Sequence, residues 1–155
     1  MHQSIRSRAS ALRAGAAGAL LLAALACETP GVQKVATEEE RLAYGEALAS
    51  LPQDPATARQ RLEAFIAAYP DGALADDAGE KLAAIALGEE RSADAVRWLG
   101  WVVTEHPSGD RAEAARLSLA ALARSRGDDA EAQRWLGGAR FERMQPAQRF
   151  VGYRL

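Results

Sequence analysis

Cysteine is almost absent from this chain of 155 residues: there is one, Cys27, alongside two histidines and an aromatic content of 6%. A single cysteine excludes an intramolecular disulfide and any cysteine-based metal site. Of the histidines, His2 lies within the first 26 residues, and His106 is the single one in the chain that follows. No HExxH, CxxC, GxSxG or phosphate-cradling glycine loop occurs. β-Branched residues are scarce, which disfavours sheet. Long apolar runs are missing too. The most apolar stretch, Ala14–Ala26 (AGAAGALLLAALA), has 13 residues. As a helix it would be about 20 Å long, against roughly 30 Å for the hydrocarbon core of a bilayer. These absences point away from an enzyme, and no cofactor or metal is expected.

The 13-residue run instead has the length of a signal-peptide core. Arg6, Arg8 and Arg13 precede it with no acidic residue among them. It ends in Ala23-Ala24-Leu25-Ala26-Cys27, small residues followed by the lone cysteine. This junction resembles the lipobox of bacterial lipoproteins, with Ala24 where that family most often has Leu. The resemblance implies acylation of the Cys27 thiol, cleavage before it, and loss of residues 1–26. The formal charge would move from −2 to −5 as the three arginines leave. Stable membrane attachment takes about two acyl chains, which the family's modification supplies. Glu28, where Asp would favour inner-membrane retention, leans the expectation toward an outer-membrane anchor facing the periplasm.

Residues 27–37 then read as the lipidated cysteine and a flexible tether, with Pro30 and Gly31 and no helical period. Thr37 before Glu38-Glu39-Glu40 is a helix start. Beyond it the chain is rich in Ala, Leu, Glu and Arg, a composition that favours helix. Apolar spacing and breakers predict helices at about 38–50, 55–69, 73–87, 92–105, 110–126 and 129–141, with another opening near Pro146. Asp54-Pro55 is a cap followed by proline at the first helical position. Tyr69-Pro70-Asp71-Gly72 and His106-Pro107-Ser108-Gly109 are corners, and Gly127-Asp128 is a stop followed by a cap.

Those corners recur at a spacing of 37 residues. Pro70 maps to Pro107, Gly72 to Gly109, Leu82-Ala83-Ala84 to Leu119-Ala120-Ala121, and Arg97-Trp98-Leu99-Gly100 to Arg134-Trp135-Leu136-Gly137. One repeat is a pair of antiparallel helices that cannot bury its apolar stripe alone, so neighbours must stack. Trp98 and Trp135 are expected between hairpins, with Leu99 and Leu136 beside them. Gly100 and Gly137 are expected where another helix packs tightly.

The pattern resembles the tetratricopeptide-repeat family, in the variant of bacterial envelope proteins whose second helix ends in a Tyr-Pro-(Asp/Ser)-Gly/Ser corner. Such repeats occur in BamD-type assembly lipoproteins, in Tol–Pal-associated repeat proteins and in the N-terminal part of LpoA-type activators of penicillin-binding proteins. The resemblance implies an all-α, right-handed helical-hairpin solenoid over residues 38–145 and a non-enzymatic role in binding envelope proteins. Residues 146–155 (PAQRFVGYRL) open a further apolar pattern and read as a possibly truncated helix. The alternative is therefore an N-terminal accessory domain of a larger activator or ligand-binding lipoprotein. The expected partners are envelope proteins, and the membrane through lipid on Cys27. Nucleic acid is disfavoured by the export signal and the negative charge. The carboxylate pairs Asp76-Asp77, Glu89-Glu90 and Asp128-Asp129 fit helix starts or turns, and His106 fits a corner residue packed under the next helix.

Overall fold

A computed structural model describes residues 34–140. They form six helices, and no strand occurs among them. The helices are α1 (Glu38–Ala49), α2 (Pro55–Ala68), α3 (Ala75–Gly88), α4 (Ser92–Glu105), α5 (Ala112–Ser125) and α6 (Asp129–Gly137). The described part of the chain is all-α. Each helix packs on its neighbours in the chain, giving three antiparallel hairpins in series.

Local chemistry sets three of the starts. Thr37 Oγ1 accepts the Glu40 amide at 3.1 Å, Asp54 Oδ1 the Thr57 amide at 3.0 Å, and Asp128 Oδ1 the Glu131 amide at 2.8 Å. Each satisfies an amide that the first turn leaves without an intrahelical acceptor. The turns of the second and third hairpins share one geometry. Arg91 donates its amide to Ala86 O and Asp128 donates to Ala123 O, the six-to-one bond of a Schellman closure. The residue that must turn left-handed is Gly127 in one hairpin (φ 76°) and Glu90 in the other (φ 58°).

The two corners also superpose in detail. Tyr69 and His106 end α2 and α4 with nearly equal dihedrals (φ −129°, ψ 57° and φ −124°, ψ 53°). Gly72 N donates to Tyr69 O at 3.0 Å, and Gly109 N to His106 O at 2.9 Å. The chain then needs two or three more residues to turn, so α3 starts at Ala75 and α5 at Ala112. The sequence pattern had placed those starts at 73 and 110. At the other end α6 stops at Gly137, short of the expected 141. Gly137 and Gly138 hold the last turn weakly, and Ala139 N folds back onto Leu136 O at 3.1 Å.

The core runs as three clusters, each between adjacent hairpin elements. The first is built on Leu62, Phe65, Ile66, Leu82 and Ile85, the second on Leu99, Val102 and Leu119, and the third on Ala120, Ala123 and Ala132. Trp98 packs against the first and second clusters, and Trp135 against the second and third. Both indoles thus lie at the joins, where the repeat placed them. Gly100 and Gly137 do not mark close helix contacts: a Cβ on either would meet nothing within 4 Å. The tight approach is at Gly79 instead, where a Cβ would fall 2.6 Å from Val102 Cγ2 and 3.0 Å from the Trp101 ring. The expectation failed because a helical glycine shows where the backbone is bare, and only the packing direction shows whether a neighbour uses that bareness.

Candidate interaction surface

Three acidic side chains are buried among the described residues, Glu40, Asp76 and Glu113, each 4% exposed. They stand in repeat phase, at spacings of 36 (76 − 40) and 37 (113 − 76) residues. Each spans to the element that follows its own hairpin. Glu40 Oε1 accepts the Leu74 amide at 2.7 Å, and Asp76 Oδ2 accepts the Arg111 amide at 3.4 Å. Leu74 and Arg111 are the residues before α3 and α5, and neither helix has a side-chain cap of its own. The first helix of the preceding hairpin therefore supplies the missing acceptor. The corner glycines make room for this, since a Cβ on Gly72 would lie 2.5 Å from Glu40 Oε1 and one on Gly109 would collide with the Asp76 carboxylate. Glu113 repeats the device, with Oε2 on the Arg140 amide at 2.8 Å and Oε1 on Arg116 Nη1 at 3.1 Å.

Next to this row lies a seam of charge. Arg111 reaches back from the second corner to Asp77, with Nη2 at 2.6 Å and Nε at 2.7 Å. Glu80 stands 3.5 Å from Arg111 Nη1 and Asp110 3.7 Å from Nε. Burial pushes the Asp77 carboxyl above its ordinary range, and the Arg111 charge only partly opposes that. Burial also opposes the Arg111 charge, but Asp77, Glu80 and Asp110 outweigh it and hold the guanidinium pKa above its usual value. The carboxylates of Asp76, Asp77 and Asp110 come within 4.8 Å of one another. Arg111 supplies the cation on the Asp77 and Asp110 side of that group. Tyr44 of α1 faces the same seam. Its phenol is pushed up to about 12, first by burial and then by the Asp77 charge.

The first hairpin carries an open trough of about 650 Å³ between its two helices. Ala43, Glu46, Ala47 and Ala49 of α1 line one wall, and Arg61, Ala64, Phe65, Ala68 and Tyr69 line the other. Repeat phase explains its shape. The second hairpin covers the first through Leu82, Ile85, Trp98 and Trp101. With α1 and α3 in phase at 36 residues, as Glu40 and Asp76 are, and α2 and α4 at 37, the earlier positions are Glu46, Ala49, Arg61 and Ala64. The surface that seats a preceding hairpin elsewhere is here cut back to small and charged side chains. Arg61 Nη1 is held by Glu46 O at 3.1 Å. Exposed Leu42, at 59%, occupies the phase of buried Ala78.

The repeat residues singled out in the sequence fall into structural places. Pro70 and Pro107 are exposed at the corners, Leu99 is buried, and Leu136 is half-buried beside the third cluster. They do not converge on one site. Cys27 lies outside the described residues. His106 closes α4, with its ring centroid 4.8 Å from that of Trp101. The carboxylate pairs divide. Asp128 is a cap, and Glu89 pairs with Arg91 and with Arg59 at 3.6 Å, while Asp76 and Asp77 are drawn into the inter-hairpin seam. The sequence reading treated all three pairs as caps or solvated turns and passed over the buried acids. An available signal was an acid in the first turn of the first helix of successive hairpins, which Asp76 and Glu113 show at the repeat spacing. Family models, curated proteins and solved structures were compared with the chain, and none matches.

Proposed function

We propose that this protein is a lipid-anchored, periplasm-facing scaffold, held in the outer membrane through Cys27, that binds protein partners in envelope biogenesis. The observation that carries the reading is the serial packing of three hairpins at a repeat of 37 residues. Chains built this way form tetratricopeptide-like, right-handed solenoids, whose extended faces bind peptides and helices. The buried acids support a structural role over a chemical one: each is committed to a backbone amide between hairpins. The apolar run ending at Cys27 supports export and acylation.

Feeding cells labelled palmitate tests the anchor. The wild-type chain takes up label and Cys27→Ser does not; equal, background labelling of both would end this part of the reading. Crosslinking in intact envelopes tests the scaffold. Specific envelope proteins are recovered with the wild-type chain, and recovery no greater than with an unrelated lipoprotein counts against it.

A second reading, an N-terminal accessory domain of a larger activator or ligand-binding lipoprotein, is favoured by one observation. Glu113 holds the Arg140 amide in the way that Glu40 and Asp76 hold amides at the start of the next helix. The coding sequence past Leu155 decides it, since an immediate stop codon removes the larger protein.

A further inference from the structure

The short segment before α1 is laid against the first hairpin. Lys34 Nζ donates to Asp71 O of the first corner at 2.7 Å, and Arg41 Nη1 of α1 donates to Ala36 O at 2.6 Å. The edge beside this clamp is apolar. Three large apolar side chains are exposed among the described residues, and the two most exposed stand here, Val35 at 86% and Leu42 at 59%. Three residues of chain and one turn of α1 separate their backbones by at most about 17 Å. Leu42 has the phase of Ala78, which the first hairpin covers in the next repeat. The ends of helical arrays are ordinarily polar, and this end carries leucine and valine. Charge neither draws it to a surface nor repels it. The exposed Lys34 and Arg41 balance the exposed Glu38 and Glu39, and Glu40 is buried on the Leu74 amide.

Chain length decides which surface is in reach. Lys34 follows Cys27 by seven residues, which span at most roughly 24 Å when fully extended. A helix of 14 residues such as α2 is about 21 Å long. A bilayer that holds Cys27 therefore lies no farther from the clamp than about one helix length. We propose that the N-terminal edge of the first hairpin is a membrane-contact face, with Val35 and Leu42 set into the boundary between lipid headgroups and acyl chains. The inference rests on the lipid anchor at Cys27 and adds which face of the domain meets the bilayer. Two apolar side chains alone bind a membrane poorly from solution, where even one acyl chain binds only marginally. Held within that reach, they act at the millimolar effective concentrations of a short linker. Lipid then takes apolar surface out of water at the end of the array where no hairpin covers it.

The test uses the lipidated chain reconstituted in vesicles of phosphatidylethanolamine and phosphatidylglycerol. With Cys27 acylated, Val35→Cys, Leu42→Cys or Gln133→Cys supplies the one free thiol, which carries a bimane fluorophore. Gln133 is exposed on α6 in the third hairpin. Circular dichroism checks that each labelled chain stays helical. Lipids bearing a nitroxide near the headgroup should quench the label at 35 and at 42 at least twofold more than at 133. In a Val35→Glu background, quenching at 42 should fall at least twofold. A chain that floats with the vesicles but shows equal quenching at the three positions overturns the contact face and leaves the anchor standing. Unchanged quenching at 42 in the Val35→Glu background would mean nearness without insertion, and equally rules the face out. A chain that does not float loses the anchor, and the proposal with it.

Discussion

Glu40 on α1 accepts the backbone amide of Leu74 at 2.7 Å across 34 residues of chain, and so caps a helix that has no cap of its own. The carboxylate is buried, and the Leu74 amide would otherwise lack an acceptor. Leaving a buried amide unpaired costs about 1–3 kcal/mol. Glu40→Ala should therefore destabilise the protein by about that amount, measured by urea unfolding. Glu40→Gln keeps an acceptor oxygen and should cost clearly less. Equal losses in the two variants would show that the hydrogen bond is not what matters.

The glycines separate two effects that share one residue type. Gly79→Ala gains helix propensity of about 1 kcal/mol but places a methyl group against Val102 and Trp101. Overpacking of this kind costs about 1–3 kcal/mol, so the net change is destabilising. Gly100→Ala meets open space and should stabilise by up to about 1 kcal/mol. Thermal unfolding of the two variants should shift in opposite directions, and a rise in both would contradict the contact at Gly79.

Glu90 holds the left-handed position that Gly127 holds one repeat later, with φ 58° against 76°. A residue with a Cβ is strained there by about 1–2 kcal/mol, and glycine gives back part of the gain by loosening the unfolded chain. Glu90→Gly should stabilise by up to about 1 kcal/mol. The matching Gly127→Ala should destabilise. Chemical denaturation checks both, and a destabilised Glu90→Gly would mean that its side chain makes a contact worth more than the strain.

Tyr44 predicts an alkaline limb in stability. Its phenol is raised from 10.0 to about 12, first by burial and then by Asp77. The native state therefore holds this proton more tightly than the unfolded chain does. The stabilisation is fully present below pH 10 and is lost as pH rises through about 12. Tyr44→Phe should flatten the fall in unfolding free energy over that range. If variant and wild type decline in parallel between pH 10 and 12, Tyr44 is not its source.

Trp98 packs on both the first and second clusters. Full burial of a tryptophan would make its loss cost about 3–5 kcal/mol, and half-burial lowers this to about 2–3. Trp98→Ala should also uncouple the first hairpin, so amide exchange in α1 and α2 should accelerate ahead of the rest. Trp135→Ala joins a smaller alanine cluster and should cost less. Uniform acceleration of exchange in the Trp98 variant would show that the hairpins unfold as one unit.

Where an element depended on its own neighbourhood, the sequence alone determined it. Thr37, Asp54 and Asp128 start helices through bonds that reach three residues, Pro55 fits the first helical position through its fixed φ, and the Pro-Gly corners close through bonds equally short. All-helical structure, the positions of six helices and the join positions of Trp98 and Trp135 were legible for that reason. Tertiary structure alone decided the rest. The residues before α3 and α5 find their amide acceptors in Glu40 and Asp76, 34 and 35 residues away. Gly79, and neither Gly100 nor Gly137, became the close approach because the face of α3 that meets α4 is set by how the hairpins stack. The trough arises in the same way: Ala49 and Ala64 are unremarkable in sequence and become a recess only because Ile85 and Trp101 fill the equivalent place one hairpin on. A local bond needs only the residues beside it, whereas a contact across a repeat exists once packing has chosen which faces meet.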